Sequence, residues 1–331
     1  MHESLEAVPR EHPPGAMKTV RIAAPARLHL GFLDPAGTLG RRYGSVGLVV
    51  EGRDARLELS AAAHDEVAAR APRDADRARA LVETLRQRTG RRQPLSLRIE
   101  RLPPAHAGFG SGTQLALAVG RAFAAWHGLG VSTAQLAAWL GRGHRSGVGI
   151  AGFDHGGLVV DGGPEGEGRA APLVARVPFP DAWRIVLVQD SRRSGLAGAA
   201  ERRALAELPA LERHVAADIC HQVLMRILPG AASASFAPFA AGVNRIQQLL
   251  GAHFAPVQGG SAYSSAAVGR AVESIAKERS AAVGQSSWGP TGFAIVPSQA
   301  DAEAALQAAR AIDSALAVSI VRACNRGARI D

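Results

Sequence analysis

The segment that decides the fold reads Pro103-Pro104-Ala105-His106-Ala107-Gly108-Phe109-Gly110-Ser111-Gly112-Thr113-Gln114. It stands between a predicted strand, Leu95 to Glu100, and a strongly amphipathic helix predicted for Thr113 to His127. Glycine lets a backbone approach an anion closely, and the free N–H groups at a helix start point toward that anion. The segment therefore predicts a phosphate-binding loop, although a tight strand-to-helix turn without a ligand fits the same residues. It is not a Walker loop, because the chain contains no Gly-Lys-Ser/Thr.

The composition is that of an ordinary globular protein. The 331 residues are 47% hydrophobic, 20% charged and only 5% aromatic, and Lys plus Arg exceed Asp plus Glu by 38 to 29. The arginines are spread along the chain and form no tract typical of a nucleic-acid-binding arm. We expect a small phosphate-rich metabolite rather than nucleic acid, with a general enrichment in arginine as the alternative interpretation.

Cysteine content and hydropathy indicate the cellular compartment in which the protein is expected. Cys220 and Cys324 are the only cysteines, and neither belongs to a Cys-x-x-Cys pair. This favours neither a disulfide framework nor a structural zinc site and is typical of the cytoplasm. Arg121 interrupts the longest apolar run, 115–125, so the sequence predicts no membrane span.

Strands and helices alternate, with strand pairs adjacent in sequence, which predicts an α+β fold of two layers. Residues 1–16 are polar and rich in proline, without a signal peptide, and we expect a disordered or non-native N-terminal extension there. The N-terminal domain with the phosphate loop is predicted for 17–181 and the C-terminal domain for 182–331. The remaining expectations are a first strand Thr19 to Ala23 that ends in a loop Pro25 to Gly31, separate strands Ser45 to Val50 and Ala55 to Leu59, a connection Ala231 to Ala241, and a closing strand Ala315 to Val321.

The stretch Gly147 to Gly152 matches the glycine pattern of dinucleotide-binding proteins, G-x-G-x-x-G. The preceding residues are polar rather than strand-like, and the following ones are predicted to run into a strand instead of a helix. This context argues against a nicotinamide enzyme.

Three segments resemble the motifs of the GHMP superfamily, in the superfamily's order: Pro25 to Asp34, Gly108 to Gln114, and Gly284 to Gly292. In detail they look like the β-ribofuranosylaminobenzene 5'-phosphate synthase branch, with Arg-Leu-His-Leu-Gly in the first, Gly-Ser-Gly-Thr-Gln in the second and Gln-Ser-Ser-Trp-Gly-Pro-Thr in the third. The stretch Gln-Gly-Gly-Ser-Ala-Tyr at Gln258 to Tyr263 is similar too. The resemblance implies a GHMP-kinase-like two-domain fold, each domain a mixed or antiparallel sheet layered with helices.

The activity that the resemblance implies joins phosphoribosyl pyrophosphate to 4-aminobenzoate, with release of carbon dioxide and pyrophosphate, in tetrahydromethanopterin biosynthesis. The sequence does not separate 4-aminobenzoate from 4-hydroxybenzoate as acceptor. No organic cofactor is expected, and Mg²⁺ is expected mainly on the substrate phosphates. No nucleic acid or membrane partner is expected, and a homodimer follows from base rates alone.

One departure from the kinases of the superfamily is informative. Those kinases commonly carry Ser-Gly-x-Asp after the second motif, whereas here Ser146-Gly147-Val148 is followed by Gly149. Asp154 or Asp161 could supply the missing carboxylate. A small-molecule kinase and a non-catalytic sugar-phosphate sensor therefore remain alternatives, because a fold does not fix a function.

Candidate site residues follow from these motifs, and each also has a structural interpretation. His29 could be only a structural hydrogen bonder, the aspartates could cap turns, and the tryptophan could belong to a core. The residues predicted to be catalytic are Arg27, His29, Asp34, Arg145 and Asp154. The residues predicted to bind the substrate phosphates are Gly108, Gly110, Ser111, Gly112, Thr113, Gln114 and Ser146. The residues predicted to bind the acceptor are Ser286, Ser287 and Trp288, and Asp161 is the predicted metal ligand, with Asp34 and Asp154 as competitors.

Overall fold

Two β-sheets organise the chain, and helices cover them. The computed structural model describes residues 19–166, 169–196 and 198–331. The strands are β1 (Val20–Asp34), β2 (Tyr43–Ala61), β3 (Glu66–Ala69), β4 (Leu95–Arg101), β5 (Leu158–Asp161), β6 (Leu173–Val177), β7 (Arg184–Gln189), β8 (Ala282–Gln285), β9 (Gly292–Val296), β10 (Ala317–Val321) and β11 (Arg329–Ile330). The helices are α1 (Pro72–Thr89), α2 (Ser111–Trp126), α3 (Thr133–Trp139), α4 (Val148–His155), α5 (Gly198–Glu207), α6 (Arg213–Gln222), α7 (Leu228–Ala232), α8 (Phe236–Phe254), α9 (Ala266–Glu278) and α10 (Gln299–Ile312).

The first sheet has the order β11-β1-β2-β4-β3, and β5 and β6 extend it from β2. The long strand β2 pairs with β5 through residues 45–48 and with β4 through residues 56–61. Only β3 and β4 pair in parallel among the described strands. Helix α2 packs its apolar face, with Leu115, Val119 and Phe123, against this sheet. The start of α2 is thereby fixed at one end of the sheet.

The second sheet is antiparallel, with the order β10-β7-β9-β8. Helices α9 and α10 cover one face. The other face contributes Leu187 and Phe293 to a core that also contains Leu28 of β1, Val46 of β2 and Phe239 of α8. Since this core draws on both sheets, the two halves of the molecule are packed against each other and are not merely linked.

The predicted α+β arrangement of sheets layered with helices is confirmed. The amphipathic helix after the glycine-rich loop forms as α2, and Ser132 caps α3 as the first residue of a capping box with Gln135. None of the described helices is long and apolar enough to cross a bilayer.

The predicted loop Pro25 to Gly31 is wrong, because β1 continues through it to Asp34. Pro25 has no N–H to give to the sheet, and it lies at a bulge where Ala24 pairs with Ala55 but Ala26 pairs with Val50. Because the bulge leaves β1 and β2 continuous, the two separate strands predicted for Ser45 to Val50 and Ala55 to Leu59 are parts of the single strand β2.

Two further predictions are corrected. The connection predicted for Ala231 to Ala241 contains the first turns of α8, which buries Phe239 against Trp183. The glycine pattern at Gly147 is followed by a helix, α4, and only then by β5. No strand directly precedes that pattern, which still separates it from a dinucleotide-binding turn.

The strand β10, which was predicted to be the last, is followed by a segment that pairs with the first sheet. The N–H of Cys324 donates to the carbonyl of Val49 at 2.9 Å, and Ile330 pairs with Ile22 of β1. Part of the segment predicted to belong to the C-terminal domain therefore completes the N-terminal sheet. The extension predicted for residues 1–16 lies outside the described residues.

Candidate active site

A wide basic cleft of about 1720 Å³ lies at the N-terminal end of α2. Glu201 of α5 is the only carboxylate among its described lining residues. An excess of cationic over anionic groups around a cleft favours a ligand with several negative charges. The cationic and imidazole side chains along the described part of the cleft are Arg27, Arg73, Arg77, Arg142, Arg145, Arg202, His29, His106 and His144.

The glycine-rich loop brings an arginine to the start of α2. Gly110 has φ 70° and precedes the first helical residue, Ser111. A Cβ on Gly110 would lie 2.8 Å from the Arg27 guanidinium carbon, and a Cβ on Gly108 would lie 2.5 Å from the Ser286 carbonyl. Only glycine fits at these two positions. The N–H groups of Ser111 and Gly112 have no hydrogen-bond acceptor among the described residues, so they can donate to an anion in the cleft.

Arg27 and Arg145 lie beside this helix start with part of their hydrogen-bonding capacity unused. Arg27 donates to the Gly108 carbonyl at 2.8 Å, and Arg145 donates to Glu201 at 2.8 Å. The Arg27 Nε and one terminal nitrogen of Arg145 are buried without a partner in the described structure. Burial lowers the pKa of Arg27 to about 10, against the opposing effect of Glu201. Buried, unpaired donors of this kind favour an anion that accepts from them.

Arg77 and Arg142 form a second pair that sequence reasoning missed. A Cβ on Gly112 would lie 3.2 Å from a terminal nitrogen of Arg77 and 3.7 Å from one of Arg142. Burial, followed by the charge of Arg77, lowers the pKa of Arg142. Arg77 comes from α1 and Arg142 from the turn after α3, so no sequence motif links them. Guanidinium groups therefore lie on both sides of the α2 start.

A serine hydroxyl ties the site together. The Ser286 Oγ donates to the Gly108 carbonyl at 2.7 Å and accepts from the His29 N–H at 2.9 Å. The N–H of Ser287 donates to the His29 carbonyl at 3.1 Å. Ser286 was predicted to bind the acceptor, but its side chain is fully buried in this bridge and lines neither cavity of the site.

A second, narrower cavity opens beside the cleft, and we call it the side pocket. His29, Phe32, Ser287 and Trp288 line both cavities. The side pocket continues between apolar side chains, among them Leu250 and Phe254, and three glutamine carboxamides. The glutamines are Gln247, Gln258 and Gln285.

Trp288 connects the wall of the side pocket to the cleft. Its indole N–H donates to Glu201 at 2.9 Å, and Phe254 contacts its ring edge-on with a centroid distance of 5.0 Å. Glu201 thus accepts from both Trp288 and Arg145 and links the aromatic wall to the basic cleft.

His29 lies where the two cavities meet, and its imidazole is electrically neutral. Burial, with smaller contributions from Arg27 and Arg145, lowers its pKa to about 3. The His29 Nε2 is buried and has no partner among the described residues. The ring therefore cannot act as an imidazolium acid near neutral pH, but it can accept or donate one hydrogen bond to a ligand.

The three predicted aspartates do not line the cleft. Asp34 accepts from the backbone N–H groups of the turn 36–39, and Asp154 accepts from the Thr133 hydroxyl at 2.6 Å. Asp161 accepts from the N–H groups of Gly147 and Gly163, and burial raises its pKa to about 6. These carboxylates shape turns and hold α4, so the predicted catalytic and metal roles find no support in their positions.

The remaining predicted residues are divided between the cleft and the interior. Thr113 and Ser146 line the cleft together with the loop glycines. Gln114 is fully buried, and its carboxamide donates to the Gly149 carbonyl at 3.1 Å instead of facing the cleft. Its role is to fasten α2 to α4.

Two comparisons with known proteins bear on this site. The family models of the GHMP kinase N-terminal and C-terminal domains match residues 76–157 and 227–313. A β-ribofuranosylphenol 5'-phosphate synthase from Archaeoglobus fulgidus is 34% identical over 296 residues, which cover 85% of this chain and 89% of the relative. A protein of the same name from Methanothermobacter thermautotrophicus is 29% identical, with 83% and 88% covered. The chain belongs to this synthase family.

Solved structures agree on the fold. A homoserine kinase from Cytophaga hutchinsonii superposes with a TM-score of 0.67 at 16% identity and covers 96% of this chain and 99% of its own. A mevalonate diphosphate decarboxylase from Staphylococcus aureus gives 0.65 at 12%, with 96% and 98% covered. The GHMP-kinase-like fold and the resemblance to the synthase branch of the superfamily are both confirmed.

In this member of the synthase family, glycine stands where the kinases commonly carry a carboxylate, and the space beside it is tight. A Cβ on Gly149 would lie 3.0 Å from the Thr113 methyl group, which is tighter than most real contacts of a Cβ. A side chain at this position requires the Thr113 methyl group to shift by a few tenths of an ångström.

The donor set does not fit a metal held by the protein. The described residues contain no group of three or more His, Cys, Asp or Glu side chains placed to hold an ion. In the cleft, Glu201 already accepts from Arg145 and Trp288. Magnesium that arrives on substrate phosphates would find guanidinium and N–H donors around it, not carboxylate ligands.

Replacement Ser286→Ala should lower the free energy of unfolding by about 1–3 kcal/mol, because it leaves the buried His29 N–H without an acceptor. The measurement is equilibrium urea unfolding. Ser280→Ala is the matched control, since Ser280 is exposed and its change should stay within about 0.5 kcal/mol. Equal effects of the two replacements would show that the bridge contributes nothing.

The His29 imidazole should remain neutral from pH 8 down to about pH 5, where an unperturbed histidine is mostly protonated. The unfolded chain binds this proton below about pH 6.5 and the folded chain does not, so His29 makes folding less favourable as pH falls from there toward 3. Proton NMR of the imidazole, assigned with His29→Gln, measures the titration. A midpoint near 6.5 would contradict the predicted burial and charge effects.

Proposed function

We propose that this protein catalyses a decarboxylating phosphoribosyl transfer. A para-substituted benzoate, 4-aminobenzoate or 4-hydroxybenzoate, attacks C1 of phosphoribosyl pyrophosphate, and pyrophosphate and carbon dioxide leave. The observation that carries the proposal is the junction of a cleft lined by six arginines with an apolar, aromatic side pocket at His29. The curated relatives carry a name for such a product, a ribofuranosylphenol 5'-phosphate.

The cleft supplies what a phosphoribosyl donor needs. Its pyrophosphate and 5'-phosphate carry several negative charges, which the two arginine pairs and the free N–H groups at the start of α2 can bind. Arg27 and Arg145 lie nearest the junction at His29, as their effect on its pKa indicates. They are placed to stabilise charge that develops on the departing pyrophosphate or to hold the benzoate carboxylate.

The side pocket supplies what the acceptor needs. Phe32, Phe254 and Trp288 provide flat apolar walls for a benzene ring and exclude water from the junction. Exclusion of water protects a ribosyl cation from hydrolysis. With the ring in the side pocket, its carboxylate faces the arginines at the junction.

The chemistry requires no general base, and this matches the groups present. The ring carbon that bears the carboxylate forms a bond to C1 while the bond from C1 to pyrophosphate breaks. The bond to the carboxylate then breaks, and its electron pair restores the aromatic ring as carbon dioxide leaves. Because the departing group is carbon dioxide and not a proton, the neutral His29 and the paired Glu201 are sufficient neighbours. Phosphoryl transfer by the kinases of this fold has an alcohol proton to remove, and the absence of a carboxylate at Gly149 argues against it.

The test is a product assay with purified protein, magnesium, phosphoribosyl pyrophosphate and acceptor labelled in its carboxyl group. We expect labelled carbon dioxide and pyrophosphate in equal amounts with 4-hydroxybenzoate or 4-aminobenzoate. Unsubstituted benzoate should give neither, because it has no para group to donate electrons to the reacting carbon.

A parallel reaction with ATP separates the alternatives. Formation of ADP without carbon dioxide would overturn the synthase and support a kinase. Tight binding of phosphoribosyl pyrophosphate without any product would support a non-catalytic sensor.

Replacement Arg142→Ala should raise the KM for phosphoribosyl pyrophosphate by about 10-fold to 100-fold, the value of one charged hydrogen bond, with little change in the KM for the acceptor. Arg98→Ala is the matched control, since Arg98 is exposed on β4, away from the cleft. An unchanged KM for the donor would remove the Arg77–Arg142 pair from the site.

A further inference from the structure

The side pocket has a defined mouth and a defined far end. Its mouth is the part shared with the cleft, at His29, Phe32, Ser287 and Trp288. The three glutamines line the side pocket but not the cleft. In a para-substituted benzoate the reacting carbon and the para substituent lie at opposite ends of the ring. With the reacting carbon at the mouth, the para substituent therefore reaches the glutamines.

Of these glutamines, Gln285 has no hydrogen-bonding capacity left, and Gln247 has used one of its two N–H groups. Gln247 donates to the Leu30 carbonyl and accepts from the Gln285 N–H. The Gln285 carboxamide accepts from Ser264 and donates to the Ser287 carbonyl and to Gln258. Both side chains are held in place by the protein, and between them they keep a single N–H group that is unused within the described structure, on Gln247.

The orientation of Gln258 follows from this chain of bonds. The backbone N–H of Ser264 can only donate, so the Gln285 atom 2.7 Å from it is the carboxamide oxygen. The nitrogen of Gln285 therefore donates, and it reaches the Gln258 oxygen at 2.9 Å. Gln258 is left with an NH₂ group that has no acceptor among the described residues.

We infer that Gln258 selects the acceptor by its para substituent, because the Ser264–Gln285–Gln258 chain engages its oxygen and leaves both of its N–H donors free in the side pocket. This inference rests on the proposed synthase function. A hydroxyl oxygen accepts a hydrogen bond from such a donor. An aromatic amine presents N–H donors of its own, and its lone pair is delocalised into the ring, so it is a poor acceptor. The site therefore favours an oxygen at the para position.

The test compares kcat/KM for 4-hydroxybenzoate and 4-aminobenzoate in the wild-type protein and in Gln258→Glu. The two acceptors differ in intrinsic reactivity. Because this difference is the same for both proteins, it cancels when the kcat/KM ratio of the variant is divided by that of the wild type. The carboxylate of the variant can still accept from Gln285 and offers its second oxygen to either substituent. We expect the wild type to prefer the hydroxyl compound, and we expect the variant to lower that ratio about tenfold or more through a gain with the amine.

Two further variants make the result decisive. Gln258→Leu removes the donor without adding charge and should lower the ratio through a loss with 4-hydroxybenzoate. Gln248→Glu is the control for the added charge, since Gln248 is exposed on α8 outside the side pocket, and it should leave the ratio unchanged.

The outcomes distinguish the two proposals. An active wild type whose ratio is the same in both Gln258 variants, or which prefers the amine, overturns the role of Gln258 and leaves the synthase proposal intact. A wild type that is inactive with both acceptors overturns the synthase proposal and this inference together.

Discussion

The hydroxyl of Ser286 holds together three segments that are far apart in sequence. It accepts from the N–H of His29 on β1 and donates to the carbonyl of Gly108, to which Arg27 also donates. Gly108 must lack a side chain for this approach, since a Cβ would lie 2.5 Å from the Ser286 carbonyl. The basic cleft and the side pocket meet at the same place. The junction on which the proposed chemistry depends is therefore a consequence of one buried hydrogen-bonded bridge between the two halves of the molecule.

The bridge also concentrates positive charge at a cost to the folded state. Guanidinium groups gather at a helix start that is itself electropositive, and Glu201 is the single carboxylate among the described residues of the cleft. Burial lowers the pKa of both Arg27 and His29, and the charges of Arg27 and Arg145 lower the pKa of His29 further. The proposed polyanionic donor would supply the missing negative charge. The same environment keeps His29 neutral, which suits a reaction in which no proton is removed from carbon.

The sequence predicted those parts of the fold that local chemistry determines. The glycine-rich loop, α2 and the cap at Ser132 depend on neighbouring residues, and they are confirmed. The continuation of β1 through Pro25 depends on a bulge formed with β2, which no local pattern reveals. The same distinction holds for the site residues. Arg27 and His29 belong to a sequence motif and were predicted, whereas Arg77 and Arg142 come together only through the packing of α1 and α3. Asp34, Asp154 and Asp161 stand near glycines and motifs in the sequence, yet their oxygens are taken by backbone and hydroxyl donors.

The fold shared with the kinases explains how one scaffold could serve a different reaction. Phosphoryl transfer and phosphoribosyl transfer both need a cradle for several phosphate charges, and the unpaired N–H groups at the start of α2 suit that need in this chain. They differ in what must leave the acceptor. An alcohol must lose a proton, whereas a benzoate loses carbon dioxide and takes the electron pair back into its ring. This chain has glycine at 149, packed closely against Thr113, and an aromatic side pocket beside His29. The absence of a carboxylate at Gly149 and the presence of an aromatic pocket both suit the proposed reaction, and they arise from the packing of α2 against α4 and of β1 against the turn after β8.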